Sequence, residues 1–148
     1  IVSIHTISGP EVFCSRGCKN YTGGCKIIAI AQMSTHGALT DNEYLDKSLK
    51  MLDPLADGVL DIQPDRRSES VFKNVIGIVT QTPLKTNLLT FVPGVHHAAG
   101  VGGIGDGKGQ CYRSPMEVQW ADIIVVGRGL TENIDNDDFE TICKKYIG

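Results

Sequence analysis

Apolar positions along this chain fall in short runs separated by turn formers, and their spacing switches between two periods. Residues 1–7, 26–32, 74–80, 88–92 and 123–126 are runs rich in β-branched residues, each stopped by glycine, proline or polar side chains. Runs of that length and composition predict buried strands. The last of them, Ile123 to Val126, is β-branched throughout, which predicts a strand covered on both faces. Helical spacing appears between the runs. Thr40-Asp41-Asn42-Glu43 has the form of a capping box, and Leu45, Leu49, Leu52 and Ala56 then recur on one face, which predicts an amphipathic helix over 41–56. Ser114-Pro115-Met116-Glu117 is a second capping box, with proline at the first helical position. Phe139, Ile142, Cys143 and Tyr146 share a face, so a closing helix is expected over 136–147. Strand, strand, helix, strand, strand, helix, strand, helix is the order of an α/β protein.

One stretch obeys neither period. Seven of the sixteen residues from 94 to 109 are glycine, too many for a regular element, and a mobile loop able to wrap a ligand is expected there. The strand that follows it runs into Gly127-Arg128-Gly129. An arginine fork fits phosphate, and flanking glycines let an anion approach the backbone N–H groups. Gln110 and Tyr112 add neutral donors from the glycine loop. Strand ends, one arginine and a closable loop make a phosphate pocket, a task that (βα)8 barrels often give to the loops after strands seven and eight.

Other signals are weaker than they look. Gly100-Val101-Gly102-Gly103-Ile104-Gly105 matches GxGxxG, but more loop follows where a dinucleotide site needs a helix. The Walker-like run that ends at Lys108 has Gly109 where a Ser or Thr must hold magnesium. His96-His97 lacks an evident third ligand and reads as a pair of loop histidines. Arg66-Arg67 reads as a surface pair.

Bulk properties narrow the class. With 148 residues the chain is one domain by length, and a net charge of -3 offers no basic field for nucleic acid. No apolar run approaches the roughly 18 residues of a membrane helix. No basic region precedes an apolar segment as in a secretory leader. Five cysteines, an odd number, favour reduced thiols in the cytoplasm. Cys14, Cys18 and Cys25 crowd one segment, but their spacing fits no common zinc pattern, so no metal is expected.

Three separated motifs, VPGV at 92–95, GDGKGQCY at 105–112 and ADIIVVGRG at 121–129, resemble the C-terminal signature of orotidine 5'-phosphate decarboxylases. That family typically shows TPGV, GDxxGQQY and a strand ending in VGRG. Upstream, SIHTISGP is similar to the family's fourth strand, AIAQMSTHGAL to its fifth and NVIGIVTQ to its sixth. The resemblance implies a partial TIM (βα)8 barrel in which strands four to eight with their helices form a single domain over 1–148. Within it, 61–73 reads as an inserted loop and 94–109 as the mobile phosphate-gripping loop. By matched positions Gln110, Tyr112 and Arg128 bind phosphate with the Gly127 backbone, Ser34 meets the amide edge of the pyrimidine, and Pro93 and Gly94 line the ring. His5 matches a histidine of the fourth strand and reads as a core or supporting residue. The implied ligands are orotidine 5'-phosphate and UMP, with no cofactor and no metal.

The same resemblance exposes a gap. The family's chemistry relies on a Lys-Asp-Lys-Asp array, whose Asp-x-Lys-x-x-Asp portion lies after the third strand. Asp106-Gly107-Lys108-Gly109-Gln110-Cys111 begins that pattern and fails at cysteine, so no catalytic residue is assigned to this chain. A full barrel takes about 250 residues. The expectation is therefore a decarboxylase sequence lacking its first strands, with an inactive ribonucleotide-phosphate-binding half-barrel as the alternative. Unpaired outer strands would favour a homo-oligomer.

Overall fold

The computed structural model describes residues 1–13, 26–52, 74–99, 104–105, 109–132, 135 and 137–147. The five apolar runs pair into one parallel sheet. Its strands are β1 (Val2–His5), β2 (Ile27–Ile30), β3 (Val75–Val79), β4 (Leu89–Pro93) and, after a short ribbon of β5 (Ile104–Gly105) and β6 (Cys111–Tyr112), β7 (Ile123–Val125). The order across the sheet is β1-β2-β3-β4-β7, so it follows the chain without reversal. A doubly wound sheet would turn back on itself at a switch point. This sheet grows in one direction, as barrel sheets do.

Register sorts the side chains into rows. Ile4, Ala29, Ile78 and Thr90 are successive partners across the sheet, and the first three pack in the core against the helical layer. Ile27, Ala29, Val75 and Ile78 form a core there with Phe13 and with Leu45 and Leu52 of helix α1 (Asn42–Leu52). The alternate row, His5, Ile30, Val79, Phe91 and Ile123, points the other way. His5 and Ile123 in it are exposed, while Phe91 is buried with its ring spread over Gly77. A Cβ on Gly77 would stand 2.4 Å from Phe91 Cε2 and 2.7 Å from the Leu89 carbonyl, so only glycine admits that ring.

Several expectations are corrected. β1 ends at His5 instead of residue 7, because the chain enters a 3-10 turn over Thr6–Ser8. The Thr6 hydroxyl donates to the Ile30 carbonyl at 3.1 Å and lies 2.7 Å from the Tyr44 hydroxyl and 2.8 Å from that of Ser48. Those bonds tie the turn to β2 and α1. His5 is exposed, not a core residue. α1 is capped by Asp41, which accepts from the Tyr44 amide at 2.8 Å, while the Thr40 hydroxyl instead accepts from the Met33 amide at 3.0 Å. β7 is not covered on both faces: Ile123 is 37% and Val125 45% exposed, alternate positions on the face turned away from the helical layer. The closing helix α3 spans Phe139–Lys144 behind an Asp138 cap, α2 (Arg128–Thr131) precedes it, and Phe139 faces solvent at 59% exposure. At Ser114 the capping box forms, with the amide donating to the Glu117 carboxylate at 2.8 Å, but it opens only a 3-10 turn over Pro115–Val118. The glycine loop is not free of regular structure, since Ile104 and Gly105 pair antiparallel with Tyr112 and Cys111.

The expected insertion at 61–73, Arg66-Arg67, the cysteines at 14, 18 and 25, and most of the GxGxxG and Walker-like runs lie outside the described residues. Among the described residues, no helix is long and apolar enough to cross a membrane.

Candidate functional site

Every parallel strand of this sheet points its C-terminal end the same way, so the loops that follow β2, β4 and β7 gather on one rim. That rim holds a cavity of about 280 Å³ lined by Ser34, Pro93, Gly94, Gln110, Tyr112, Gly127 and Arg128, together with Met33, Val95 and Val125. All seven residues singled out from the sequence thus meet in one place. Met33, Val95 and Val125 were not foreseen. Val125 stands two residues before the Gly127-Arg128-Gly129 triplet in the sequence, and that nearness is the signal that could have found it.

Local chemistry explains the convergence. Gly94 ends β4 with φ 77°, a left-handed conformation that favours glycine. The space around it is also closed: a Cβ there would lie 2.8 Å from Gln110 Nε2 and 2.8 Å from Ser34 Cβ. The returning limb of the glycine loop is stitched to two strand ends through its backbone. The His36 amide donates to the Gly109 carbonyl at 2.9 Å and the Cys111 amide to the Ser34 carbonyl at 2.9 Å, both beyond β2. The Arg113 amide donates to the Gly94 carbonyl at 2.9 Å and the His96 amide to the Arg113 carbonyl at 2.9 Å, both beyond β4. Between those stitches the Gln110 side-chain amide donates to the Ser34 hydroxyl. Tyr112 is turned inward at 8% exposure, with the Arg128 guanidinium carbon 5.4 Å from its ring centroid. The rim is braced further by Gln81, whose side chain donates to the Pro93 carbonyl at 3.1 Å and whose own carbonyl accepts from Arg113 at 2.5 Å.

Among the described residues that line it, only Arg128 carries a full charge. An amide, a hydroxyl, a phenol and a guanidinium around an apolar floor suit an anion joined to a flat polar ring. A second hollow of about 400 Å³ lies beside β7 and α3, but its lining of Ile124, Val125, Val126, Leu130, Cys143, Tyr146 and Ile147 offers almost no convergent polar groups. Chemistry favours the smaller cavity. Among the described residues, no group of three His, Cys, Asp or Glu side chains is placed to hold a metal, and Cys111 and Cys143 are free.

His96 and His97 are more than loop histidines. His96 is 8% exposed, its ring stacks on His97 with centroids 4.9 Å apart, and it meets Tyr112 edge-on. His97 Nδ1 lies 3.1 Å from the Tyr146 hydroxyl. Burial first, then His96 and Lys145, hold the His97 imidazole below its ordinary pKa, and burial pushes the Tyr146 phenol up.

Comparison with known proteins now decides the family. The "Orotidine 5'-phosphate decarboxylase / HUMPS family" matches residues 1–138. The chain belongs to that family. Similar family members named orotidine 5'-phosphate decarboxylase come from Mucor circinelloides f. lusitanicus, 31% identical over 99% of this chain and 49% of that protein, and from Rhizomucor pusillus, 29% identical over 99% of this chain and 50% of that protein. The protein of that name from Schizosaccharomyces pombe is 30% identical over 88% of this chain and 44% of its own length. The chain spans about half the length of the curated relatives it matches. Its parallel α/β sheet is consistent with the TIM barrel of the family.

Proposed function

We propose that this chain supplies the phosphate- and pyrimidine-binding part of an orotidine 5'-phosphate decarboxylase, a carboxy-lyase that turns orotidine 5'-phosphate into UMP and CO2. In this reading Arg128, Gln110 and Tyr112 take the phosphate with the Gly127 backbone. Ser34 takes the amide edge of the pyrimidine, and Pro93 and Gly94 bound the ring. The observation that carries it is the meeting of all seven residues in one cavity where, among the described residues that line it, a guanidinium is the one charged group. The five strands are strands four to eight of a partial barrel, supported by their chain-order parallel pairing. Phosphate held away from the reacting carbon contributes by closing the loop of 94–109, so remote binding energy serves the reaction centre. No cofactor takes part, the ligand is a small nucleotide, and the setting is cytoplasmic. The exposed outer strands β1 and β7 support a homo-oligomer.

A second reading, an inactive ribonucleotide-phosphate-binding half-barrel, is favoured by one observation. The sequence holds no complete Asp-x-Lys-x-x-Asp pattern.

Titration of the full 148-residue chain with UMP and with uridine tests the shared premise. UMP binds more tightly, and Arg128→Ala costs about 2 kcal/mol of that preference, the scale of hydrogen bonds to a charged group. Equal affinity for both ligands in the unaltered chain refutes both readings. An assay of orotidine 5'-phosphate decarboxylation bears on the second reading alone. No turnover is expected from this chain alone, and turnover would retire the inactive reading.

A further inference from the structure

We propose that His96 is a positioning residue that locks Tyr112 and Arg128 into a single phosphate grip; this rests on the phosphate-binding reading given above. The two gripping side chains belong to different elements, Tyr112 to the β6 ribbon and Arg128 to the start of α2. Nothing in either element alone fixes the distance between them. One imidazole touches both neighbourhoods.

Its ring meets the Tyr112 ring edge-on, centroids 5.4 Å apart at 62°. Tyr112 in turn carries the Arg128 guanidinium over its ring. The other tie runs through α2. His96 Nδ1 accepts from the Ala98 amide at 3.1 Å, so in the neutral ring the proton sits on Nε2. That Nε2 lies 3.3 Å from the Glu132 carboxylate and is its donor. Glu132 closes the helix that Arg128 opens, its amide donating to the Arg128 carbonyl at 2.9 Å. His96 therefore holds the far end of the turn whose first residue grips the anion.

The approach is close only because residue 129 is glycine. A Cβ there would come within 3.0 Å of His96 Cδ2 and 2.0 Å of the Tyr146 hydroxyl. His97 stacks at 18° to His96 and reaches Tyr146, so the far side of the ring is backed as well. A packing role alone would need no nitrogen at either position. Here both ring nitrogens have partners, and one partner belongs to the helix of Arg128.

The test uses the full chain, with UMP and uridine as probes and thermal melting as the fold control. His96→Phe keeps a ring beside Tyr112 and loses both polar ties. Glu132→Ala removes the tie to α2 from a side chain that is 53% exposed, so it spares the core. Each variant is expected to weaken UMP binding about tenfold, the scale of one hydrogen bond to a charged group, with uridine binding unchanged. His96→Gln retains a donor near Nε2 and recovers part of the loss. The double variant His96→Phe/Glu132→Ala is no weaker than the worse single one, because both cut the same link. UMP affinity at the unaltered level in Glu132→Ala overturns the proposal, as does an equal loss for UMP and uridine. Should His96→Phe fail to fold, Glu132→Ala and His96→Gln decide it. Failure of the unaltered chain to prefer UMP over uridine sinks the parent reading instead, and the inference with it.

Discussion

The cluster beneath α1 is regular and apolar throughout, whereas the one beneath α3 closes around a tyrosine hydroxyl and abuts a pair of stacked histidines. In the first, Ile27, Ala29, Val75 and Ile78 stand at alternate strand positions against Leu45 and Leu52 at helical spacing. In the second, Val92, Val95, Val118 and Ile142 surround Tyr146, and the stacked His96 and His97 lie next to it. The regular cluster holds the sheet and contributes no described residue to the lining of the candidate cavity. The irregular one sits directly behind Tyr112 and Arg128. Regular periodicity marks scaffold here, and departures from it mark the surroundings of the candidate cavity.

That contrast can be broken in four ways. Ile78→Ala strikes the regular cluster and should cost about 2–5 kcal/mol of stability in denaturant unfolding while leaving the preference for UMP over uridine intact. Gly129→Ala strikes the irregular one, where the added Cβ meets the Tyr146 hydroxyl and His96. It should cost about 1–3 kcal/mol of stability and reduce UMP binding as well, a double effect that calorimetry reads directly. Gly94→Ala forces a side chain into a left-handed conformation worth about 1–2 kcal/mol and pushes Gln110 from Ser34, so UMP binding should fall further than the melting temperature suggests.

The smallest effect is one of pH. The folded pKa of His97 lies below its unfolded value, so unfolding takes up a proton as pH falls. Its contribution to stability is complete above about pH 6.5 and is lost as pH drops through the lower folded value. The melting temperature should decline between about pH 7 and pH 5, and His97→Gln should flatten that decline. Asp122, whose carboxylate accepts from the Thr90 amide and hydroxyl, is held below the usual carboxylate range. It acts only below about pH 4, so the two windows do not overlap.

Legibility in the sequence followed the same division. Strands β2, β3 and β4 and helix α1 were readable because burial on a repeating face leaves a repeating pattern. The ends were less so. Thr6 leaves β1 early through bonds to Ile30, Tyr44 and Ser48 that no local pattern reveals. Phe139 shares a helical face with Ile142 yet faces solvent, since sharing a face does not ensure that a neighbour covers all of it. Family resemblance alone singles out Ser34 in the sequence, and it lies in the cavity at the strand ends. His96 was missed for a different reason. Its partners, Tyr112 and Glu132, are distant in the chain and come together only when β4, β6 and α2 do.

The order of the sheet has a consequence for how this molecule assembles. Because β1, β2, β3, β4 and β7 lie side by side in the sequence in which they leave the ribosome, each can dock on a template already laid down. No strand must wait for a later one to open a place, which keeps the entropy of closing each crossover to one step at a time. β7 comes last of the five in the chain and leads through Gly127 into Arg128 of α2, so the rim of the candidate cavity is completed only when sheet growth reaches β7.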